Sequence, residues 1–296
     1  MPFNFNQKVK LFHTSLLIIF CCLMFCSCHD KVPNSNFQLS LDEFKNSRSS
    51  AYAINSKVIR NLLDSIMRND KDRHAADLHT RRYYQNKGSL LWITRHGVNS
   101  QADSLVTCLR TVADMGFDKR RFYVDAIARD IDRLRDLNLD SADNQINQVI
   151  ARLEYRLTKA YFRYTMGQNF GFMNPSFVFN RLDTLAPNPY DSSKRPVRFR
   201  GLFDVKMAYA DDAFYQKAMQ MVRCDSVASF LKEVQPKNPF YYQLLEKLKA
   251  GGLGKAMKIK ILCNMERCRW RQYDNPWQHE KYVVVNIPSF HLMAID

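Results

Sequence analysis

The sequence predicts a mainly α protein, a multi-helix body that gives way near its C-terminal end to the first strands of an incomplete β-rich domain. Three observations carry this reading. Apolar residues recur at three- and four-residue spacing through most of positions 51–271. Residues that start and stop helices (Ser, Asp, Pro and Gly) stand where that spacing begins and ends. The segment Lys281–Ile295 (KYVVVNIPSFHLMAI) abandons the helical period and is rich in β-branched and apolar residues. With 296 residues, 46% of them apolar, the chain can bury a sizeable core, which argues against disorder over most of its length.

Taken in order, residues 51–70 form a helix with Val58, Leu62, Leu63 and Ile66 on its apolar face. Residues 71–88 are polar and basic, and Leu90–Gly97 (LLWITRHG) is a short apolar segment ending in glycine. A helix capped by Ser100 follows, with Leu105, Cys108, Leu109, Val112 and Met115 inward and Gly116 as its left-handed stop. The next runs from Val124 to Leu137 on Ile127, Ile131 and Leu134. The longest pattern, 143–166, places Ile146, Val149, Ile150, Leu153, Leu157, Ala160, Tyr161 and Tyr164 on one side and closes at Gly167. Residues 168–204 are proline-rich without a clean period and read as a long loop. Helical spacing returns over Asp211–Lys232, Pro239 opens another helix that stops at Gly251-Gly252, and Lys255–Trp270 is the last. Pro288 interrupts the final apolar run, marking an edge strand or a strand break. Two strands alone do not make a stable sheet, so residues 272–296 are expected to open a domain that continues beyond them.

The N-terminus reads as an export signal. Lys8 and Lys10 precede a continuous apolar stretch, Leu16–Phe25, too short for a comfortable membrane span of about 20 residues. It ends in Phe25-Cys26-Ser27-Cys28 and then turns polar, which resembles a bacterial lipobox. Residues 1–27 would leave as a signal peptide, Cys28 would carry lipid, and 28–50, rich in Asn and Ser, would be a tether. The chain would then sit in the bacterial cell envelope, lipid-anchored on the periplasmic side. The formal charge is +15, and Lys8 and Lys10 are the only charged residues before Cys28, which leaves +13 on the mature part. A basic surface favours polyanions. Outside the cytoplasm, nucleic acid falls to last among them, behind anionic lipid and wall polymer.

Cys108, Cys224, Cys263 and Cys268 remain in the mature chain. Four cysteines could form two disulfides in an oxidising compartment; the reading preferred here is four small buried hydrophobes. Their spacing suits no zinc site, and no cofactor is expected. Arg267 and Arg269 flank Cys268 and could lower its pKa, yet a structural cysteine is the preferred reading. Ser229 and Lys232 fit a Ser-x-x-Lys pattern but lack a downstream Lys-Thr-Gly. The glycines of Gly251–Gly254 are a helix break, and Asp211-Asp212 a helix start.

Several segments together resemble one family. Leu90–Phe122 looks like the opening of the scaffold domain of large L,D-transpeptidases, with Leu91-Trp92, a helix, then Gly116 and Asp118. Leu153–Pro175 (LEYRLTKAYFRYTMGQNFGFMNP) resembles the next hallmark, an aromatic-rich helix with a glycine and a proline-ended turn. Asn264–Arg271 (NMERCRWR) and Val283–Leu292 (VVVNIPSFHL) are similar to the family's join between scaffold and catalytic domains. The resemblance implies a scaffold domain over 51–271 and the start of a catalytic domain over 272–296. It also implies a role in peptidoglycan cross-linking by cysteine acyl transfer. That chemistry needs an activated thiol, an imidazole and oxyanion-stabilising amides. The family's Ser-x-Gly-Cys motif is absent: no glycine here precedes a cysteine, all four cysteines lie before the VNIP segment, and His291 is the only histidine after it. No catalytic residue is therefore carried over, and the chain itself is expected to be inactive, truncated before its nucleophile. Trp92, Tyr161 and Trp270 read as core anchors. Glu266, Arg267, Arg269 and Arg271 either pair across the interface with the catalytic domain or form a solvated helix face.

The expected partners are peptidoglycan stem peptides or cell-wall synthesis proteins, with the membrane held through the lipid anchor. The alternative is a non-catalytic, membrane-anchored lipoprotein that binds cell wall or partner proteins. A glycan-capturing surface lipoprotein is a third reading, which leaves NMERCRWR and VNIP unexplained.

Overall fold

The computed structural model describes residues 53–94, 96–136, 138–139, 142–180, 205–273 and 279–296. The signal 1–27, Cys28, the tether 28–50 and most of the proline-rich segment lie outside the described residues. The described chain is mainly helical. It runs α1 (Ser56–Asn69), α2 (Ala75–Gln85), β1 (Ile93–Thr94), β2 (Gly97–Val98), α3 (Ser100–Arg110), α4 (Val124–Asp136) and α5 (Ile146–Phe170). Then follow α6 (Pro175–Asn180), α7 (Asp212–Arg223), α8 (Val227–Glu233), α9 (Pro239–Ala250), α10 (Lys255–Arg267), β3 (Tyr282–Asn286) and β4 (His291–Ile295).

The architecture is organised by α5. Its 25 residues make a rod about 37 Å long. Most of its side chains are buried around the whole circumference, which marks a central helix rather than a surface one. Helices α1, α2 and α4 pack along it, while α8 lies on α3 and α7. Ile150, Leu153, Leu157 and Tyr161 of α5 meet Leu63 of α1, Ile127 of α4 and Phe230 of α8 in one contiguous core. Helices α9 and α10 pack on each other around a smaller cluster of Tyr241, Leu244, Leu245, Ile261 and Met265, and Met115 touches both cores.

The local reasons are mostly those in the sequence. Pro239 stands at the start of α9, where its missing N–H costs nothing, and Gly251 ends that helix at φ 73°. Asp211 Oδ1 accepts from the Phe214 amide at 2.8 Å, capping α7. The residue before Ser100 turns out to be the cap of α3: Asn99 accepts from the Ala102 amide at 3.1 Å. Helix α3 ends at Arg110, and turns carry the chain to Gly116 at φ 82°.

Beyond the Ser100 cap and the Gly116 stop of α3, five more points of the sequence reading change. The buried face of α1 is Ile59, Leu63 and Met67, and Val58 is exposed; the face is rotated by one position. The polar stretch 71–88 contains a full helix, α2, which buries Ala76, Asp77, Thr80 and Tyr84; buried polar groups with partners carry no apolar period. Gly167 lies inside α5, which continues to Phe170 and closes at Gly171, φ 89°. Gly167 is there for space: a Cβ on it would come within 2.0 Å of the Phe172 ring. The segment Asp211–Lys232 is two helices, broken at Cys224–Ser226 where Asp225 adopts φ 51°. Finally, Cys224 and Cys263 are exposed and only Cys108 and Cys268 are partly buried; all four are free thiols.

Strands β3 and β4 form an antiparallel hairpin pairing Tyr282 with Ile295 and Asn286 with His291. A short 3-10 turn, Ile287–Ser289, joins them, so proline 288 marks a strand break. Residues on both faces are exposed, Phe290 at 95%.

Candidate functional site: two joints on the long helix

Three of the four segments that carry the sequence resemblance lie far apart in the chain and meet on α5 at two joints, while Val283–Leu292 lies in the exposed hairpin. At the first, Trp92 is fully buried and its Nε1 donates to Thr158 Oγ1 at 2.9 Å. Its ring meets Tyr161 edge to face at 5.3 Å. Glu154, also fully buried, takes four donors: the Tyr84 hydroxyl at 2.7 Å and the amides of Leu91 (2.5 Å), Trp92 (3.1 Å) and Ile93 (3.2 Å). One carboxylate thus satisfies three consecutive backbone amides that enter the core with too little sheet to pair them. Burial pushes the Glu154 carboxyl up to about 7, against the pull of those donors.

The second joint ties the end of α5 to the end of α10. Glu266 Oε1 accepts from the amides of Phe172 (2.6 Å) and Met173 (2.7 Å), holding the turn after Gly171. Arg269 is 3% exposed; its Nε donates to Gln168 Oε1 at 3.0 Å and its Nη2 to the Tyr241 hydroxyl at 3.0 Å. The same guanidinium lies 4.7 Å from the Phe117 ring centre and 5.0 Å from that of Tyr241. Arg271 Nε donates to the Asn169 carbonyl at 2.6 Å. Trp270 packs on Gly171, where a Cβ would come within 2.6 Å of the indole, and meets Phe179 edge to face. Three of the four charged residues, Glu266, Arg269 and Arg271, therefore face inward onto the helical body, and Arg267 alone is exposed.

A lattice of ion pairs braces the other side of α5. Lys159 Nζ donates to Asp70 (2.7 Å) and Asp72 (2.8 Å), and Arg163 reaches Asp72 and Asp77, both at 2.6 Å. Hydrogen bonding by Lys159 holds the Asp72 carboxyl down at about 2. Farther along, Asp130 binds Arg133, Arg152 and Arg156. Every acid here has a cationic partner and every cation an acid.

Two hollows flank the second joint. An apolar one of about 410 Å³ is lined by Met115, Phe117, Phe172, Phe179, Leu262 and Trp270 among others. A groove of about 720 Å³ runs between the Phe170–Ser176 turn and residues 205–210, with His74 and Lys206 on its walls.

The sequence-selected residues are placed as follows. Trp92 and Tyr161 are core anchors and Trp270 is half-buried. Burial pushes the Cys268 thiol up, outweighing Arg269, while Arg267 turns to Asn264 instead. Ser229 and Lys232 lie exposed on α8, and His291 is exposed on the hairpin. Among the described residues, no hydrogen bond links their side chains to a cysteine; His291 Nδ1 lies 3.3 Å from Ser289 Oγ. Glu154, Lys159 and Asp130 were missed. Glu154 had a signal: it stands four residues after Ile150 and three before Leu157, on the apolar face. Among the described residues no group of three or more His, Cys, Asp or Glu could hold a metal ion, and no helix is long and apolar enough to cross a membrane.

No curated protein and no solved structure matches this chain. A family model described as Scaffold domain matches residues 77–248, more than half of the chain, from α2 through α9. That span holds the first joint and the α5 side of the second, while Glu266–Arg271 and the hairpin lie beyond it. By this match the chain belongs to the Scaffold domain family.

Proposed function

We propose that the chain is the scaffold portion of a peptidoglycan L,D-transpeptidase, lipid-anchored at Cys28 in the bacterial cell envelope, and that β3–β4 open its catalytic domain. One observation carries this. Glu266, Arg269 and Arg271 clamp the end of α10 to the body, and the next described element is a hairpin with apolar side chains exposed on both faces. Val283 and Val285 on one strand and Leu292 and Met293 on the other are each more than half exposed. A two-stranded hairpin of that composition needs cover to be stable.

In this reading the body supplies position, not chemistry. A cysteine acyl transfer needs thiol, imidazole and oxyanion amides held to within about half an ångström. A rigid mount for the first strands serves that need. The joints at Glu154 and Glu266 make the mount rigid by fixing backbone to side chain across long sequence separations. No residue of this chain is assigned to the acyl transfer itself.

The test pairs two measurements in the native organism. Deleting the gene should lower the fraction of 3–3 cross-links between peptidoglycan stems. The native protein, by mass and C-terminal peptide, should run past Asp296 into a segment with Ser-x-Gly-Cys. Unchanged cross-linking together with a native chain ending at Asp296 would overturn the reading and leave a non-catalytic lipoprotein that binds wall or partner proteins.

A further inference from the structure

The hairpin of α9 and α10 ends in a tip that the second joint does not use. Over residues 246–260 the chain carries five lysines, Lys247, Lys249, Lys255, Lys258 and Lys260, against one acid, Glu246. That acid is engaged by Lys249 at 3.2 Å, which leaves four cations in excess. All six residues 255–260 are exposed, and burial on α10 begins only at Ile261. The helix therefore projects its first turn and a half, about 9 Å, beyond its small core. The joining glycines are open as well, with nothing within 4 Å of a Cβ placed on Gly251, Gly252 or Gly254.

Apolar side chains alternate with the charges. Met257 is 43% and Ile259 52% exposed, between Lys255, Lys258 and Lys260. A helix of isolated charge would suit any polyanion. Two residues apart, Met257 and Ile259 leave opposite sides of α10, so the tip meets a surface end-on, and a bilayer interface then takes both apolar groups among its acyl chains and the ammonium groups at its headgroups. A wall polymer or nucleic acid in water offers the charge without the apolar phase.

We infer that the α9–α10 tip is a membrane-contact element that docks on anionic phospholipid. It acts as a second attachment point, separate from the acyl chain expected at Cys28, and would orient the body on the membrane. The lipid contact itself uses only the charge and exposure of the tip and not the acyl-transfer chemistry; its being a second attachment rests on the proposed lipidation at Cys28.

The test uses the full chain in lipid vesicles with Met257→Trp as a depth probe, its signal taken over that of the unsubstituted chain. In vesicles one-third phosphatidylglycerol, a brominated lipid should quench the added indole; in pure phosphatidylcholine it should not. Each lysine near an anionic surface contributes about fivefold in partition, so the K255Q/K258Q/K260Q triple variant should weaken quenching by well over tenfold. The triple arginine variant should retain it, which separates lost charge from lost fold. Raising salt to half molar should release the tip. Equal quenching in both lipids, or quenching indifferent to the glutamines, overturns the inference. So does absent quenching with lysine-dependent pelleting on isolated sacculi, which would move the tip to a wall polymer.

Discussion

Replacing Glu154 by glutamine separates two effects that the first joint combines. The carboxyl stands fully buried with four donors and no cation within hydrogen-bonding reach, and burial raises it from 4.5 to about 7. The folded state then holds the proton more tightly than the unfolded chain. Between pH 4.5 and about 7 the unfolded chain gives up its proton first, so stability falls as pH rises through that window and is flat on either side. At about 1.4 kcal/mol per pH unit the whole window amounts to about 3 kcal/mol. The amide of Glu154→Gln does not titrate. At pH 4 it is compared with a neutral acid, and its extra N–H meets a site already full of donors, costing about 1–3 kcal/mol. By pH 8 the native chain has lost its 3 kcal/mol advantage, so the gap closes or changes sign. Urea unfolding of both chains from pH 4 to 9, read by circular dichroism, gives the difference directly. A gap that stays constant, or widens with pH, would show that the donors outweigh burial and that Glu154 is ionised throughout.

Lys159→Met removes the shared cation of Asp70 and Asp72 while keeping most of the stem. Because Asp70 retains Arg81 and Asp72 is half exposed, we expect a loss of about 2–4 kcal/mol in urea unfolding, below that of a wholly orphaned buried charge. The Asp72 carboxyl, held at about 2 against an ordinary 3.8, contributes stability that is full above 3.8 and lost as pH falls toward 2; without Lys159 that acid-limb loss should become smaller. Gly171→Ala puts a Cβ within 2.6 Å of Trp270 and 2.9 Å of Glu266 Oε1 at φ 89°, so the Tm should fall by at least about 5 °C; an unchanged Tm would remove the second joint from the argument. Thiol labelling of the native protein should modify Cys224 and Cys263 quickly, and Cys108 and Cys268, whose thiols burial pushes up, slowly. Uniform rates would contradict the placement of these helices.

What the sequence disclosed follows from how each element is stabilised. Helices α3, α4 and α9 bury apolar residues at helical spacing, with Asn99 opening α3 and Pro239 and Gly251 bounding α9, so local signals are enough to find them. Helix α2 was hidden because it is held by Asp77 to Arg163 and by Tyr84 to Glu154, partners 86 and 70 residues away. No local pattern records a partner that distant. The extension of α5 past Gly167 was hidden for a related reason: the glycine answers to the Phe172 ring folding back on it, a contact that exists only once the turn is made. The one-position rotation of α1 belongs to the same class, since Val58 and Ile59 fit a helical stripe equally well and packing on α5 chooses Ile59.

The joints also explain why a resemblance carried by Trp92, Gly171 and Glu266 speaks to architecture rather than chemistry. Each of these residues is tied to backbone or to a packed neighbour: Trp92 fills a buried site with its N–H satisfied, Gly171 leaves room for an indole, and Glu266 holds two amides at once. The catalytic expectation therefore rests on the hairpin and not on the body. Among the described residues, no helix covers its exposed valines, Leu292 and Phe290. If the hairpin were only an appendage, replacing Val283, Val285 and Leu292 by threonine would leave function untouched. If it is the first pair of strands in a larger sheet, the same changes should abolish cross-linking while the unfolding of the helical body stays as it was, and muropeptide composition alongside urea unfolding reads both outcomes.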